Sequence, residues 1–310
     1  MNTYINHINV LIHQDLLSNK NFPENIRAPS IYALSSGKRL RPAIILSISC
    51  GISPPQDPVA DHFALFIEYI HNASLIIDDL PCMDNDRTRR GLETVHVKYG
   101  EHIAQLLAIN LLATAIQHSH TALKLLSPRS PSESSVDYLI LQEITQCLSF
   151  QGVSGGQFLD LTIGTVDIDL LSQRQQREKI LALIRLKTGC LFGLAFQLGW
   201  YTREITTWIR EQDGSNHNLQ EILRAIKECG IAFGMCYQIV DDIQDRESDF
   251  KRNGGYNNIC KYYTKNELID LFAQQMEIFY RISHYYNCFT PFIAELYKCL
   301  LNNYKLHVSS

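Results

Sequence analysis

Apolar side chains recur at spacings of three and four along almost the whole chain; Phe63, Ile67, Ile70 and Ser74 form one such series and Leu181, Ile184 and Thr188 another. This is the period of a helix face, whereas the strict alternation that marks a half-buried strand is scarce. The pattern predicts an all-α protein. Turn-forming clusters at GISPPQDP (51–58), SPRSPSESS (127–135), QDGSNHN (212–218) and KRNGGYNN (251–258) cut the chain into segments of helix length. None is long enough to be a domain linker and no short-period repeat is visible, so residues 1–310 are expected to form one helical domain. The longest apolar stretch, IAQLLAINLLATAI (103–116), is interrupted by Gln105 and Asn110 and falls short of the roughly 20 residues a bilayer requires. It predicts a buried core helix and no stable membrane insertion.

Composition narrows the function classes. With 310 residues, 45% of them hydrophobic, the chain can bury a substantial core, and a net charge of −4 gives no global basic field for nucleic acid. Nine cysteines, an odd number without a CxxC pair, fit reduced buried thiols better than a disulfide framework and point to the cytoplasm. The start, MNTYINHINVLIHQDLL, lacks the basic region and unbroken apolar core of a secretory signal and predicts a short amphipathic helix.

Two apolar stretches are followed by crowded carboxylates, SLIIDDLPCMDNDRTRRG (74–91) and QIVDDIQD (238–245). On a helix Asp241 and Asp245 share a face, and two like charges there repel. In the first cluster an unbroken helix would send Asp84 away from Asp78 and Asp79, but Pro81 removes a backbone donor and disfavours helical geometry at Leu80, so the chain can bulge and bring Asp84 back. A three-carboxylate site is the expectation, and in a bundle the two acidic helix endings could face one cavity. An EF-hand loop is excluded by Arg89 at the position that needs glycine. Oxygen-only clusters suit Mg²⁺ shared with the oxygens of a substrate phosphate. Arg89 and Arg90 can then contact the phosphates directly. A second anion site is expected at SSGKRLRP (35–42), where Lys38, Arg39 and Arg41 crowd the start of a helix against its dipole. His71 lies about two turns, roughly 10 Å, before Asp78.

With these motifs in place the chain resembles the trans-isoprenyl diphosphate synthases of the polyprenyl synthetase family. DDLPCMD resembles the first aspartate-rich motif of that family, RRG its arginine pair and QIVDDIQD its second aspartate-rich motif, while SGGQFLDL (154–161) and LKTGCLF (186–192) are similar to its mid-chain signatures. The resemblance implies an all-α, single-domain bundle around a central cavity and a Mg²⁺-dependent prenyl transfer from an allylic diphosphate (dimethylallyl, geranyl or farnesyl) to isopentenyl diphosphate. It implies three Mg²⁺ ions, two on Asp78, Asp79 and Asp84 and one on Asp241 supported by Asp242 and Asp245. Arg89, Lys187, Thr188 and Gln238 would bind the allylic substrate, and Lys38, Arg41, His71 and Arg90 would hold isopentenyl diphosphate. Gln157 and Asp160 would line the cavity, and a homodimer is expected.

The sequence also departs from the family. Ile77 replaces a histidine before the first aspartate, LAIN (107–110) stands where a glycine-aspartate pair is usual, and after Asp245 only Lys251 or Lys261 can stand for the usual phosphate-binding lysine. The C-terminus, KLHVSS, lacks a basic end. A catalytically silent partner subunit would be expected to have lost an acidic motif, and a terpene cyclase to carry a different late metal motif in place of DDIQD. An allylic chain anchored at Asp78 and running back along its helix passes Ser74 and Ala73 about 6 to 7.5 Å down the axis. The resemblance implies that aromatic bulk there stops growth at fifteen carbons, so these small residues favour geranylgeranyl diphosphate, with farnesyl diphosphate the alternative. The same two residues could instead serve close helix packing.

Overall fold

The helical period is realised throughout the computed structural model, which describes residues 2–18, 24–51, 57–126, 134–164, 168–211 and 216–308. The turn clusters at 127–135 and 212–218 lie largely outside these residues. Contacts divide the chain into two units, Met1–Pro131 and Ser132–Ser310.

The first unit comprises α1 (Asn2–Ser18), α2 (Glu24–Leu34), α3 (Leu40–Cys50), α4 (Pro58–Asp78), a ribbon of β1 (Thr88–Arg89) and β2 (Leu92–Glu93), α5 (Val95–Tyr99) and α6 (Glu101–Leu126). Its axis is α4. The carboxylate of Asp57 accepts from the Val59 amide at 3.0 Å and Pro58 supplies a preset first turn, so the start of the helix is defined locally. Phe63, Phe66, Ile67 and Ile70 then bury the apolar face, and α4 packs on α3 and α6. The ribbon was not visible as an alternating pattern because each strand is two residues long; Arg90 and Gly91 both take positive φ, 55° and 77°, the geometry of a tight hairpin turn.

The expectation of a fully buried helix at 103–116 is corrected. Leu107, Leu111 and Ala115 of α6 are buried, but Leu106, Ile109 and Ile116 are exposed, with exposed Ala113 between them. An apolar helix surface reads the same from sequence whether α4 or solvent lies beyond it.

The second unit comprises α7 (Ser134–Leu148), α8 (Val153–Thr162), a 3-10 turn at Ile168–Leu170, α9 (Gln173–Ile184), a π-helical turn at Arg185–Gly189, α10 (Cys190–Glu211), α11 (Asn216–Asn253), a second 3-10 turn at Ile259–Lys261, α12 (Lys265–Tyr285) and α13 (Pro291–Val308). The helical run Gln173–Glu204 is long and apolar enough to cross a membrane by length and composition, and 72% of its apolar window is buried inside the protein. Phe233 stands at the centre of the core, with ring centroids 5.4 Å from Phe192 and 5.2 Å from Phe279. Gly230 permits the approach of α10 to α11, because a Cβ there would lie 2.5 Å from the Phe192 carbonyl oxygen. The second acidic motif lies within α11 and not at its end; the apolar stretch stops at Val240 but the helix continues to Asn253.

A polar clasp fastens α1 in the first unit. His62 of α4 meets His118 of α6 Nδ1 to Nδ1 at 2.8 Å, so one ring donates and the other accepts. His118 Nε2 lies 3.4 Å from the Asp15 carboxylate of α1, which also accepts from the Tyr69 hydroxyl at 2.6 Å. A second contact of the same kind joins His7 to Asp61 at 2.7 Å. Burial and the neighbouring His118 hold the His62 pKa below that of a free imidazole. Burial acts to raise that of Asp15, but hydrogen bonds from His118 and Tyr69 outweigh it and hold the carboxyl low. Both shifts act in one direction: below about pH 6.5 the unfolded chain takes up a proton that folded His62 refuses, and further acid must protonate an Asp15 that folding keeps ionised. His62 therefore contributes a loss of stability as pH falls below about 6.5, and His62→Gln is expected to lose less stability over that range than the wild type. Urea midpoints of the two proteins measured side by side check it; a difference between them that does not change with pH contradicts it.

Candidate active site

In the first unit α4 ends where its charges begin. Leu80 and Pro81 close the helix into a turn in which the Asp84 amide donates to the Asp78 carbonyl at 2.9 Å and the Asn85 amide to the Leu80 carbonyl at 3.1 Å. The fold-back at Pro81 thus brings the Asp84 backbone to Asp78. Asp78 and Asp79 are nearly buried, at 8% and 4% exposure. The ribbon returns Arg89 to Asp79, whose Oδ1 accepts from Nε at 2.7 Å and lies 2.6 Å from Nη2. Burial raises the Asp79 pKa while Arg89 opposes the rise. Arg90 donates to the Ser36 carbonyl at 2.8 Å. A small void of about 50 Å³ lies among Ser36, Asn72, Asp79, Arg89 and Arg90.

The basic turn before α3 separates into two kinds of cation. Arg39, in left-handed geometry at φ 52°, is 4% exposed and pairs with buried Glu68 of α4 while donating to the Ser36 carbonyl at 3.2 Å. Its counter-charge is internal, so it is excluded from the anion site that the sequence suggested for all three. Lys38 is exposed and Arg41 half-buried. Arg41 Nη1 lies 3.2 Å from His71 Nε2, and burial together with Arg41, Arg90 and Arg89 holds the His71 pKa well below its ordinary value. A neutral imidazole that accepts at Nε2 carries its proton on Nδ1. Ser74 is half-buried and donates to the His71 carbonyl at 2.9 Å, whereas Ala73 is fully enclosed.

In the second unit the π-helical turn carries Lys187 and Thr188. Lys187 pairs with Asp160 of α8, which also accepts from Asn257 Nδ2 at 3.1 Å. Thr188 donates to Gln238 Oε1 at 2.7 Å, and Gln238 Nε2 donates to Asp242 at 2.7 Å. The other Asp242 oxygen accepts from the Ile259 amide at 2.9 Å, and burial lifts this carboxyl to about 7. Both Asp242 oxygens are thus engaged inside the unit, while Asp241 is half-buried and Asp245 exposed. Of the two candidate lysines, Lys261 lies 3.3 Å over the Tyr256 ring and donates to the Gly254 carbonyl at 3.2 Å, and Lys251 is exposed. Gln157 has both side-chain polar atoms buried with no protein partner. A buried amide left so lacks what water or a ligand would supply.

Among the described residues no three His, Cys, Asp or Glu side chains stand together as a ready-made ion cage; Asp79 is paired with Arg89, and Asp242 accepts from the Ile259 amide. The donor set still fits Mg²⁺, which takes one or two carboxylates and completes its shell with waters and substrate oxygens. Asn257 and Asn258 were missed in sequence. Asn258 donates to the Asp242 carbonyl and to Asp249, each at 2.8 Å; in the sequence the pair reads only as part of a turn.

Helices that present carboxylates at the end of α4 and along α11, with cations set on the preceding and following segments, define an isoprenoid-synthase fold. Residues 23–258 match the model of the polyprenyl synthetase family, and the chain belongs to that family. It is similar to a probable farnesyl diphosphate synthase of Bradyrhizobium diazoefficiens, 32% identical over 70% of this chain and 58% of the relative. It is also similar to a geranylgeranyl diphosphate synthase of Pantoea ananas, 30% identical over 70% of this chain and 63% of the relative. The matched part thus spans about three fifths of the length of these relatives. The solved structure of a geranyltransferase from Legionella pneumophila superposes with a TM-score of 0.74 at 26% identity, over 97% of this chain and 95% of that one.

Gly156 lets α8 reach the π-helical turn, since a Cβ there would lie 2.3 Å from the Lys187 backbone nitrogen. Gly156→Ala is expected to displace Lys187 and destabilise the protein by about 1–3 kcal/mol, the usual cost of overpacking. Thermal unfolding measures this; an unchanged midpoint contradicts the close approach.

Proposed function

We propose that the chain is a prenyl-elongating enzyme that condenses isopentenyl diphosphate with an allylic diphosphate, giving geranylgeranyl diphosphate, and that residues 1–310 act as one synthase domain. The observation that carries this reading is the order of charge along α4. Oxygen donors crowd its end at Asp78 and Asp79, Arg89 closes on them, and two turns back a neutral imidazole is held by Arg41. Such an arrangement suits a diphosphate approached by metal on one side and by cations on the other.

In this reading Lys38, Arg41, His71 and Arg90 hold isopentenyl diphosphate, with His71 offering the single Nδ1–H that its bond to Arg41 leaves over. Arg89, Lys187, Thr188 and Gln238 orient the allylic diphosphate. Asp78, Asp79 and Asp84 hold two Mg²⁺ ions and Asp241 a third; Asp245 supports that site, and Asp242 supports it by fixing Gln238 and the Ile259 turn. Bound Mg²⁺ supplies positive charge against the charge growing on the departing diphosphate. Lys187 and Arg89 add to this stabilisation as the allylic C–O bond ionises. The isopentenyl double bond attacks the carbocation, and the proton lost from the adduct passes to the released diphosphate. Gln157, with its two orphaned polar atoms, and Asp160 line the cavity.

We further propose a cytoplasmic homodimer, with the exposed stripe Leu106, Ile109, Ala113 and Ile116 of α6 as the face that meets a second copy. A single helix presenting a small residue between larger apolar ones can pack on its own symmetry mate. Sedimentation as a monomer would dismiss this assignment.

Farnesyl diphosphate is the alternative product, because the enclosure of Ala73 gives it the role of a packing residue, withdraws one of the two small residues that argue for the longer chain and leaves Ser74 as the small side chain available to a growing tail. Ser74→Phe is expected to shift products toward fifteen carbons, because a packed wall has no room for both ring and tail. Chromatography of products from labelled isopentenyl diphosphate reads the result, and an unchanged distribution in active, folded Ser74→Phe removes this helix as the ruler.

Asp78→Asn and Asp241→Asn are each expected to keep the fold and lower turnover by roughly two orders of magnitude or more, since each removes a ligand that acts when charge develops. Diphosphate release dependent on both substrates is the assay. Release from the allylic substrate alone would indicate a cyclase or hydrolase, and wild-type turnover in folded Asp78→Asn would refute the metal assignment.

A further inference from the structure

The second unit contains a cleft lined by none of the groups assigned above. It encloses about 460 Å³, within the roughly 300–1,000 Å³ of small-molecule sites. One wall is α7, presenting Gln142, Glu143 and Gln146, and the other is the first half of α11, presenting Gln220, Arg224 and Lys227. Leu139, Leu186 and Leu223 supply apolar surface between them.

The charges in this cleft are unequally matched. Lys227 reaches across to Glu143 at 2.6 Å, and Arg185 pairs with Glu228. Arg224, which is exposed, is left over: among the described residues it makes no ion pair or hydrogen bond, and the same holds for the amides of exposed Gln142 and Gln220 and half-buried Gln146. An unmatched guanidinium recognises a phosphate or carboxylate through paired hydrogen bonds, and glutamine amides can both donate to and accept from hydroxyl groups.

The floor gives the cleft a connection to the reaction. Arg185 and Leu186, which line it, are the first two residues of the π-helical turn whose next two are Lys187 and Thr188. A π turn within a helix departs from the regular ladder and recurs at functional positions. Filling the cleft ties α7 and α11 to one face of this turn, while Asp160 and Gln238 hold Lys187 and Thr188.

We propose that this cleft is an effector site for a small hydroxylated oxyanion, an organic phosphate or carboxylate, seated on Arg224 and the glutamine amides. Its occupancy changes how the π turn presents Lys187 and Thr188, a coupling that rests on the prenyl-transfer reading, whereas the binding does not.

The test is calorimetric titration of the whole chain with glycerol 3-phosphate and, separately, with glycerate, two probes that share a hydroxylated body and differ in the anion. Saturable binding of at least one is expected in the wild type and in Arg89→Ala, weakened roughly tenfold or more in Arg224→Glu and in Gln220→Leu. The probe that binds identifies the anion. Binding of neither, binding unchanged in folded Arg224→Glu and Gln220→Leu, or binding lost in Arg89→Ala overturns the site. With the bound probe present, the KM for the allylic diphosphate should change in the wild type and not in Arg224→Glu. An unchanged KM at saturating probe overturns the effector role.

Discussion

A charged or strongly polar side chain withdrawn from water at the end of a helix must be met inside the protein, because an unmatched buried ion costs several kcal/mol. Both units of this chain are organised by that constraint. Arg39 is drawn under the start of α3 by Glu68, which fixes the left-handed turn and so places Lys38 and Arg41 on either side of a cation that is no longer available. Asp79 recruits Arg89 from the ribbon, and the ribbon needs its tight turn at Arg90 and Gly91 to return that guanidinium within reach. The positions of the remaining polar groups follow from these pairings.

In the second unit the same constraint forms a chain. Asp242 accepts from the Ile259 amide and from Gln238, Gln238 accepts from Thr188, and Asn258 holds the backbone of Asp242. The amide of Gln238 is bonded at both ends, so its orientation is determined, and Thr188 is oriented with it. Lys187, one residue before, is held from the other side by Asp160, and Asn257 in turn holds Asp160. The turn after α11 thus fixes the Asp160 side chain and the Asp242 backbone through its two asparagines.

The helical class, the acidic clusters and the two mid-chain signatures were legible because each is local: a period of three to four, a proline after an aspartate pair, glycines before a glutamine. What was not legible depends on partners distant in sequence. Lys38, Arg39 and Arg41 are one basic run until Glu68 claims the middle member. Paired aspartates look alike at 78–79 and 241–242, but Pro81 ends one helix while the other runs through its pair to Asn253. The apolar residues of α6 satisfy a core pattern on every face, and only α4 decides which of them are covered.

Ala73 and Ser74 show how sharply such decisions fall. Both are small, adjacent and equally suited in sequence to line a tunnel or to ease packing. Successive helix positions are turned by about 100°, so the two side chains leave α4 in different directions. Ala73 is enclosed, and Ser74 keeps partial exposure with its hydroxyl returned to the His71 carbonyl. The hydroxyl is thereby satisfied within its own helix and presents little polarity outward, which suits a surface passed by a hydrocarbon chain. Packing encloses one of the two small residues and leaves the other partly open, a difference set by direction from the helix axis and not by residue type.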